Sequence, residues 1–563
     1  MTADPRPTRV RDPRLRVLAV FAAVLIVAGV LDRRASDSSV ARAAEAGVLG
    51  AGPIVPARDA FSTAWYCAEG TSNPGGRADE TIVIGNLGTR AADSLVTVLP
   101  GGNAPAASKR VPLPARSQVR VAVSEIAAVP EPGVIVEVFG TQSLVEHVVR
   151  SGDDIALDAC ARQPAAGWYF AGGTTVKGSQ EWLALFNPLE SDATVDVTVF
   201  TDNGLQRPEQ LQGVAVPRRT RVSQPIHDLV RREQVVAMAV RARTGRVVAE
   251  TSQYFDGTEE RTDPADVNRR LPPRNGIGMT LGAPAPAAEW DFPVFEHRGG
   301  VSAAVDVANP AGVPAEAEIL TFLDGAATLA PQTVQIPPRS AVRVDPGARV
   351  ADGTNYAVSV RSTTDVDVVA GSLTSWTSPD PSAAIETLLG STRHATDWAF
   401  ALGRIDDARA STVTVLDDGT RAVSVSVGVV TGGKVRYPAA TRSITIPPGR
   451  RATVDSAALG ATTDSMLVVH STGPVVAAID LPFGRGRTVS AGVPFARGDA
   501  GARLGAPRLV SPTTTRPTTT GPTAASSTTA ASTTGVSTTA GSSTTAASTA
   551  GVSTTAASSS TGR

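Results

Sequence analysis

The sequence is poor in cysteine, histidine, lysine and aromatic residues. Of its 563 residues, two are cysteine, five are histidine and 4 % are aromatic. The net charge of −1 gives no global field that would favour nucleic acid as a partner. The histidines have no His or Cys at metal-ligand spacing, so we predict no metal site and no cofactor. They are His147, His227, His297, His394 and His470.

The common catalytic motifs are also missing. The sequence has no G-x-S-x-G and no H-E-x-x-H pattern. Adjacent acidic pairs such as Asp153-Asp154 and Glu259-Glu260 lie in predicted turns. Neighbouring residues on a strand point to opposite faces, so such pairs are poor general acid–base pairs. We therefore predict no catalytic residues, and an enzyme would need carboxylates that converge between domains.

The chain instead contains one unit four times. Each copy opens with a tryptophan, followed by an Asn or Asp, then a Gly turn, then a Val/Ile-rich step that ends in Pro. Such constant spacing predicts that each copy folds alike. These positions are Trp65, Trp168, Trp290 and Trp398; Asn86, Asn187, Asn309 and Asp417; Gly102, Gly204, Gly325 and Gly433; and Pro112, Pro217, Pro337 and Pro447.

The second copy shows the strand pattern most clearly. Residues 194–201 alternate Val with polar residues, which is the period of a half-buried strand. Asp202-Asn203-Gly204 then predicts a hairpin turn. About seven short strands per copy favour an immunoglobulin-like β-sandwich, whereas propeller blades need only about 40–50 residues. The last two strands of each copy, 134–139 and 144–149 in the first, are predicted to form a closing hairpin. We therefore predict an all-β fold of about four tandem immunoglobulin-like sandwiches, arranged as a rod.

The predicted boundaries follow the repeat. They are 1–14 for a cytoplasmic basic segment, 15–31 for a transmembrane anchor or signal peptide, 32–58 for a linker, 59–162 for repeat 1, 163–284 for repeat 2 with an insertion, 285–392 for repeat 3, 393–500 for repeat 4 and 501–563 for a disordered tail. The tail is almost wholly Ser, Thr, Ala and Gly and resembles glycosylated stalks.

The amino-terminal segment predicts export. Arginines precede an uncharged run at 17–31, and this order places the amino terminus in the cytoplasm and the bulk of the chain outside. The run predicts an uncleaved anchor, with cleavage after Ala41-Arg42-Ala43 and secretion as the alternative. Cys67 and Cys160 both lie in the first copy, so we predict a disulfide, which requires an oxidising compartment.

A family resemblance rests on the pattern of the second copy. Trp168-Tyr169-Phe170-Ala171-Gly172-Gly173, then Leu185-Phe186-Asn187-Pro188, then the Val-rich strand, Gly turn and Val-Pro-x-x-x-x-Arg step resemble the DUF5719 family. The resemblance implies an exported, membrane-anchored actinobacterial protein with tandem β modules. It covers about residues 65–483, and Asp417-Asp418 departs from it. No activity is assigned to the family, so it implies no functional residues.

Three recurrent features were weighed as sites. The tryptophans could stack on sugars, but one Trp per copy is typical of a sandwich core. The recurrent Asn predicts a turn-former. The arginines near the Pro step could form a stripe that binds anionic polymer, the alternative being a solvated edge that prevents aggregation. This possible polymer-binding set is Arg116, Arg120, Arg218, Arg219, Arg221, Arg339, Arg343, Arg450 and Arg451.

These observations predict a non-catalytic protein of the cell envelope. The first hypothesis is an extracytoplasmic scaffold or accessory rod that contacts another envelope protein, with the membrane reached through the amino-terminal helix. The second is an adhesin-like, multivalent binder of cell-wall glycan or anionic polymer through the arginine turns.

Overall fold

The computed structural model describes residues 52–512, except 59, 102–103, 264–265, 326–327, 378–383, 407 and 497–503. This part of the chain is almost entirely β-strand, as predicted. Within it, no helix is both long and apolar enough to cross a membrane. The predicted anchor at 15–31, the basic segment before it and most of the predicted tail lie outside the described residues.

Four modules follow one another along the chain. Module 1 contains β1 (Ser62–Cys67), β2 (Asp79–Asn86), β3 (Ala92–Leu99), β4 (Ala107–Leu113), β5 (Ser117–Ala122), β6 (Gly133–Phe139), β7 (Ser143–Ser151) and β8 (Asp154–Ala159). Module 2 contains β9 (Gly167–Gly173), β10 (Ser179–Asn187), β11 (Ala193–Thr201), β12 (Gly204–Gln206), β13 (Val214–Val216), β14 (Thr220–Pro225), β15 (Val236–Thr244), β16 (Val248–Asp256), β17 (Arg261–Asp263), β18 (Asp266–Leu271) and β19 (Asn275–Leu281).

Module 3 contains β20 (Glu289–His297), β21 (Val301–Asn309), β22 (Ala315–Leu323), β23 (Gln332–Ile336), β24 (Ser340–Val344), β25 (Thr354–Ser362), β26 (Val369–Trp376) and β27 (Ala384–Leu389). Module 4 contains β28 (Ala395–Phe400), β29 (Thr412–Asp417), β30 (Val423–Thr431), β31 (Lys434–Arg436), β32 (Ile444–Ile446), β33 (Arg450–Asp455), β34 (Met466–Phe483), β35 (Gly486–Ala491) and β36 (Val493–Pro494). The α-helices described are single turns at Ile226–Leu229 and Ser456–Leu459, and short 3-10 turns lie at Val123–Glu125, Glu209–Leu211 and Ala439–Thr441.

Each module pairs two antiparallel sheets. In module 1 the strand orders are β1-β6-β3-β4 and β5-β2-β7-β8. Module 3 repeats them as β20-β25-β22-β23 and β24-β21-β26-β27. In immunoglobulin constant domains the first strand pairs with the second, but here it pairs with the sixth. The structure therefore confirms a two-sheet β module and does not confirm the immunoglobulin order.

Two details of the strand prediction were wrong. The last two predicted strands, such as β6 and β7, belong to different sheets and do not form a hairpin. An eighth strand, β8, follows and pairs with β7. The predicted insertion at 256–284 contains the equivalent strand β19, so only the β17–β18 hairpin is additional to the module. The alternating segment at 194–201 is confirmed as β11, whose valines are buried.

One strand from the carboxyl-terminal part of each module lies at the centre of the molecule. These four inner strands, β8, β19, β27 and β35, pack side by side in the order of the modules, and β35 returns to β8. They carry small residues where they meet: a Cβ on Gly278, for example, would lie 2.7 Å from the Thr387 hydroxyl. Small side chains allow the four strands to approach one axis, so the modules form a closed ring.

The rod arrangement was therefore wrong. Modules 1 and 4 share one hydrophobic core cluster, which contains Trp65 and Trp398 together. The segment before β1 adds to this closure, because Val55 N donates to the Pro494 carbonyl (2.9 Å) and Val55 bridges Phe495 in parallel. The sequence pattern within one module predicts its strands but contains no signal for how the copies pack on one another.

Candidate functional site

One face of the ring opens into a cavity on the central axis. Its volume is about 740 Å³, and it lies where the inner strands end and the chain passes to the next module. Asp158, Leu281, Leu388 and Ala491 come from the ends of the four inner strands. Linker residues 282–287 and 390–396 form much of the remaining wall, with Gly52–Ile54 from the amino-terminal side. A concave site shared by all modules is the default place for a ligand or partner.

A cluster of charged side chains lies at the junction of modules 3 and 4, and one of its members, His394, lines this cavity. His394 Nε2 lies 3.1 Å from Asp291 Oδ2 and 3.2 Å from Asp418 Oδ1. Glu289 joins the same group, whose ligand-type atoms all lie within 4.8 Å of one another. The two aspartates raise the pKa of His394 to about 10, and burial opposes that rise. We refer to Glu289, Asp291, His394 and Asp418 as the His394 cluster.

Arg361 and Ser359 hold the outer side of this cluster. The Arg361 guanidinium donates to Glu289 and, at 2.7 Å, to Asp418 Oδ2. The Ser359 hydroxyl donates to Asp291 Oδ1. Each aspartate thus has one oxygen held by a donor and the other directed at His394. A second His–Asp contact, His470 Nδ1 to Asp397 Oδ1 at 2.8 Å, lies on the neighbouring module 4 strands.

A different buried group connects modules 1 and 2. His147 lies between Glu80 Oε1 (3.1 Å from Nδ1) and Glu250 Oε2 (3.5 Å from Nε2), and all three side chains are fully buried. Burial alone would lower the pKa of His147, but Glu250 and Glu80 outweigh burial and raise it to about 9. Glu250 Oε2 also accepts from the backbone N–H groups of Ala68 (3.0 Å) and Glu69 (2.6 Å).

At the junction of modules 4 and 1, a buried glutamate likewise accepts hydrogen bonds from two backbone N–H groups. Glu146 in β7 pairs with Val83, and Glu250 in β16 pairs with Ala184. Val83 and Ala184 each lie three residues before the recurrent Asn, so the two glutamates hold equivalent positions. The Glu146 carboxylate accepts from Ala401 N (3.0 Å) and Leu402 N (3.2 Å), three and four residues after Trp398. Ala68 and Glu69 stand at the same distance from Trp65, so the two junctions are equivalent.

At the junction of modules 2 and 3, the equivalent position holds an uncharged residue. Gly371 stands at the Glu146 position in β26, and a Cβ there would lie 2.1 Å from the Ala171 carbonyl oxygen. Glycine therefore lets the main chains touch here, whereas the junctions of modules 1 and 2 and of modules 4 and 1 contain a carboxylate at this position. The ring uses different side-chain chemistry at equivalent places.

The fully buried carboxylate of Asp154 lies where the four inner strands begin. Its Oδ2 accepts from Ile277 N (2.9 Å) and Ile385 N (3.1 Å), and its Oδ1 accepts from Arg487 N (3.2 Å). These three N–H groups stand at the same position in β19, β27 and β35. Burial raises the pKa of Asp154 to about 7, although these donors and Ile155 N favour the ionised form.

The predicted disulfide is present. Cys67 and Cys160 are bonded, with their Cα atoms 4.8 Å apart and 93 residues between them. It links the end of β1 to the residue after β8, and so closes module 1 from end to end. The four recurrent tryptophans are fully buried, which confirms the core interpretation over sugar stacking. Trp168, Trp290 and Trp398 donate Nε1–H to the carbonyls of Val247, Val368 and Val475.

The arginine set divides into two groups. Several members are engaged between modules: the Arg221 side chain is 3 % exposed and pairs with Glu69 (3.1 Å), and the Arg451 side chain is 3 % exposed and pairs with Asp324 (2.6 Å). Arg120 donates to the Arg404 carbonyl of module 4, and Arg343 pairs with the buried Asp306. The predicted arginines therefore do not all belong to one continuous exposed stripe, because Arg221 and Arg451 bury their side chains at junctions.

The remaining arginines lie in or beside the turns. Arg218 and Arg339 are exposed, and Arg116, Arg219 and Arg450 are partly exposed. Arg116, Arg219 and Arg339 share a positive φ of 50–54°, and Gly449 takes this place in module 4. This match corrects the register of the first copy, in which the Pro step ends at Pro114 and not at Pro112. Asn86 Nδ2 donates to the Pro114 carbonyl as Asn309 Nδ2 does to that of Pro337.

Sequence reasoning missed the His394 cluster and the carboxylates at the junctions. Their members come from different modules, and spacing along the chain cannot show such a set. The only available signal was the departure from the repeat: Asp418 stands where proline follows Asn in the second and third copies, and Asp154 stands where the other inner strands have Gly or Ala.

Comparisons with known proteins add a family and a weak structural similarity. No curated protein matches the chain. A solved structure of Streptomyces avermitilis α-L-rhamnosidase complexed with L-rhamnose is similar at 10 % identity and a TM-score of 0.14, covering 62 % of this chain and 44 % of that one. The chain thus spans less than half of that enzyme, and so low a score supports no argument about function. A family model described as "Family of unknown function (DUF5719)" matches residues 156–258, most of module 2. The resemblance of the chain to DUF5719 is thereby confirmed over these residues.

Proposed function

We propose that this protein is a non-catalytic scaffold of the cell envelope that holds another envelope protein on the outer side of the membrane. The observation that carries the proposal is the closed ring. Its junctions are filled by the molecule's own buried groups, such as Glu146 on Ala401 and Glu250 on Ala68. A ring closed in this way is a rigid platform, and rigidity is what a scaffold supplies.

The disulfide supports an extracytoplasmic location. Cys67–Cys160 is buried in the core of module 1. Disulfides persist in oxidising compartments and are rare in the reducing cytoplasm. The arginine-rich start of the sequence and the apolar run after it agree with this placement as a single-pass membrane protein, with secretion after cleavage as the alternative.

We also propose that the module is a distant relative of immunoglobulin-like sandwiches. Its size of roughly 100 residues and its two antiparallel sheets support this relation. The place of β1 beside β6 would then be a rearrangement of the order within that architecture.

The axial cavity is the proposed docking place for the partner. It is concave and lined by linkers of several modules, so a protein loop inserted there would contact several modules at once. Ala285 lies in its wall, whereas Ala288 is exposed on the same linker. These two alanines offer a matched pair of sites for a bulky substitution.

The test is a pull-down from gently crosslinked cells that express the tagged full-length protein. We expect one envelope protein at near-stoichiometric level with the wild type and with Ala288→Trp, and its loss with Ala285→Trp. Enrichment of no protein above the level of an untagged strain would contradict the scaffold.

The alternative function, binding of wall glycan or anionic polymer, now depends on the turn arginines. It predicts salt-sensitive co-sedimentation with purified cell wall that is lost when Arg218, Arg219 and Arg339 are replaced by Ala. Such a result without a captured protein would replace the scaffold proposal with an adhesin-like one. The three side chains lie outside the module junctions described above, so the substitutions leave the ring intact.

A further inference from the structure

We propose that the His394 cluster binds one divalent transition-metal ion, of the Zn²⁺ or Mn²⁺ class, and that this ion links modules 3 and 4. Asp291 and Glu289 come from β20 of module 3, Asp418 follows β29 of module 4, and His394 lies on the linker between them. This inference is independent of the proposed scaffold function. It also differs from the expectation that sequence spacing gave, which was no metal site.

The distances fit ligands that share an ion. Zn²⁺ binds His nitrogen and carboxylate oxygen at about 2.0–2.2 Å, so adjacent ligand atoms stand roughly 3.0–3.5 Å apart at angles of 90–110°. His394 Nε2 lies 3.1 Å from one aspartate oxygen and 3.2 Å from the other. A single imidazole with carboxylates is a mixed set that suits Zn²⁺ and Mn²⁺ better than Mg²⁺ or Cu⁺.

A second observation concerns the hydrogen bonds of these buried atoms. Asp291 is 1 % exposed, and among the described residues its Oδ2 accepts no hydrogen bond, although it faces His394 Nε2 at 3.1 Å as an ion pair. His394 Nε2 likewise makes no hydrogen bond of good geometry within the described part of the chain. A buried carboxylate oxygen without a donor is costly. A cation between these atoms would satisfy both.

The surrounding side chains are arranged as an outer shell of a metal site. Ser359 holds Asp291 Oδ1, and Arg361 holds Asp418 Oδ2, which leaves the other oxygen of each aspartate free to bind a metal. Outer donors of this kind orient metal ligands in known sites. The three carboxylates and Arg361 sum to −2 once His394 has released its Nε2 proton to solvent, so a divalent cation that takes the place of that proton would balance the charge.

An ion can also reach the cluster. His394 lines the axial cavity, and its side chain is 26 % exposed. Asp291 and Asp418 are more buried, so the ion would enter past the imidazole and be held from below by the carboxylates.

The test uses the full ectodomain after treatment with EDTA, titrated calorimetrically with ZnCl₂ and separately with MnCl₂. We expect one equivalent of one of these ions to bind, and a thermal midpoint that rises with the bound metal. Asp291→Asn removes one charged ligand oxygen and keeps the Ser359 contact, so it should weaken binding at least 10-fold. Asp397→Asn, which alters the other His–Asp contact on module 4, should bind as the wild type does.

Two results would overturn the proposal. One is binding of neither ion by the folded wild-type ectodomain. The other is binding that is equally tight in Asp291→Asn and His394→Gln, both checked for folding by circular dichroism. In either case the cluster is an internal ion pair only. The wild-type titration does not depend on the variants, so a variant that fails to fold leaves the first criterion in force.

Discussion

The recurrent Asn connects each turn to the end of the strand that leads into the Pro step. Asn187 Nδ2 donates to the carbonyls of Ser191 (2.8 Å) and Val216 (3.0 Å), while its Oδ1 accepts from Leu189 N (3.0 Å). Asn86 and Asn309 make the equivalent contacts. Asn was predicted to form a local turn, and this role is confirmed. The amide also makes a long-range bond, because it carries donor and acceptor together.

Module 4 has Asp417 at this position, and an ionised carboxylate cannot donate. Its Oδ1 accepts from Gly419 N (3.1 Å), but its buried Oδ2 has no hydrogen-bond partner among the residues that the structure describes. Burial, with a smaller contribution from Asp418, raises the pKa of Asp417 to about 6. We predict that Asp417→Asn stabilises the protein by about 1–2 kcal/mol at pH 8, because the amide restores the missing donor. Chemical denaturation of the protein measures this difference in unfolding free energy.

The stabilisation by Asp417→Asn should be smaller at pH 5. A carboxyl whose folded pKa is raised contributes stability that is present below its unfolded pKa, near 4, and is lost as pH rises through about 6. The reciprocal change, Asn309→Asp, should destabilise at pH 8 by a similar amount. An unchanged unfolding free energy in both variants would show that the amide donor is unimportant.

At the scale of elements, the strand after each Pro step forms part of a junction. Arg221 in β14 donates to the Gly70 carbonyl (2.7 Å) and pairs with Glu69, both in module 1. Arg451 in β33 holds the equivalent place and donates to the Pro293 carbonyl (2.8 Å) of module 3. The repeated arginines are thus explained partly by packing between modules.

We predict that Arg221→Ala destabilises the protein by about 3–5 kcal/mol, because it leaves the buried Glu69 without its cation. Arg218→Ala, three residues earlier and exposed, is the control and should change stability by less than about 0.5 kcal/mol. Thermal or urea denaturation compares the two. Equal effects would mean that Arg221 is not the structural member of the set.

The strands themselves could be predicted from the sequence, whereas their pairing could not. Alternation at 194–201 predicts β11 because a half-buried strand must alternate. No local pattern says that β1 pairs with β6, since that contact joins residues about 70 positions apart. The β7–β8 pair is a local hairpin, in which Ser151 pairs with Asp154, and the predicted count of about seven strands omitted β8. The Pro112 assignment failed for a related reason: Pro112 and Pro114 are both present, and only the Asn86 bond identifies the second.

At the scale of the whole molecule, burial of carboxylates sets a pH dependence. Burial raises the pKa of Asp154, Glu146 and Glu250 to about 7 and that of Glu386 to about 8. The stability that these groups contribute is present below their unfolded pKa, near 4, and is lost as pH rises through 7–8. We predict that the thermal midpoint of the protein falls between pH 5.5 and pH 8.5.

Glu386→Gln should reduce this fall, since it removes the group with the highest of these pKa values. The exposed Glu209→Gln is the matched control and should leave the slope unchanged. A thermal midpoint that rises with pH in the wild type would contradict the prediction.

The ring itself depends on Asp154. We predict that Asp154→Ala is among the most destabilising single substitutions, because the N–H groups of Ile277, Ile385 and Arg487 lose their acceptor at about 1–3 kcal/mol each. Asp154→Asn keeps one oxygen and should lose less. Asp153→Ala, next to it and exposed, is the control. Limited proteolysis and thermal denaturation report the effect, and a stable Asp154→Ala ring would contradict this role.

The contact at Asp154 also restricts how such a ring can arise. A fourfold arrangement has one place on its axis, and there the first module has Asp while the other three have Gly276, Ala384 and Gly486. A homotetramer of identical subunits would bring either four carboxylates or none to that point. Four carboxylates would repel one another, and with none the backbone N–H groups would lack an acceptor. Because the copies are joined in one polypeptide, one module can differ in sequence from the other three. The modules are therefore not interchangeable in order, because the axial carboxylate comes from module 1 alone.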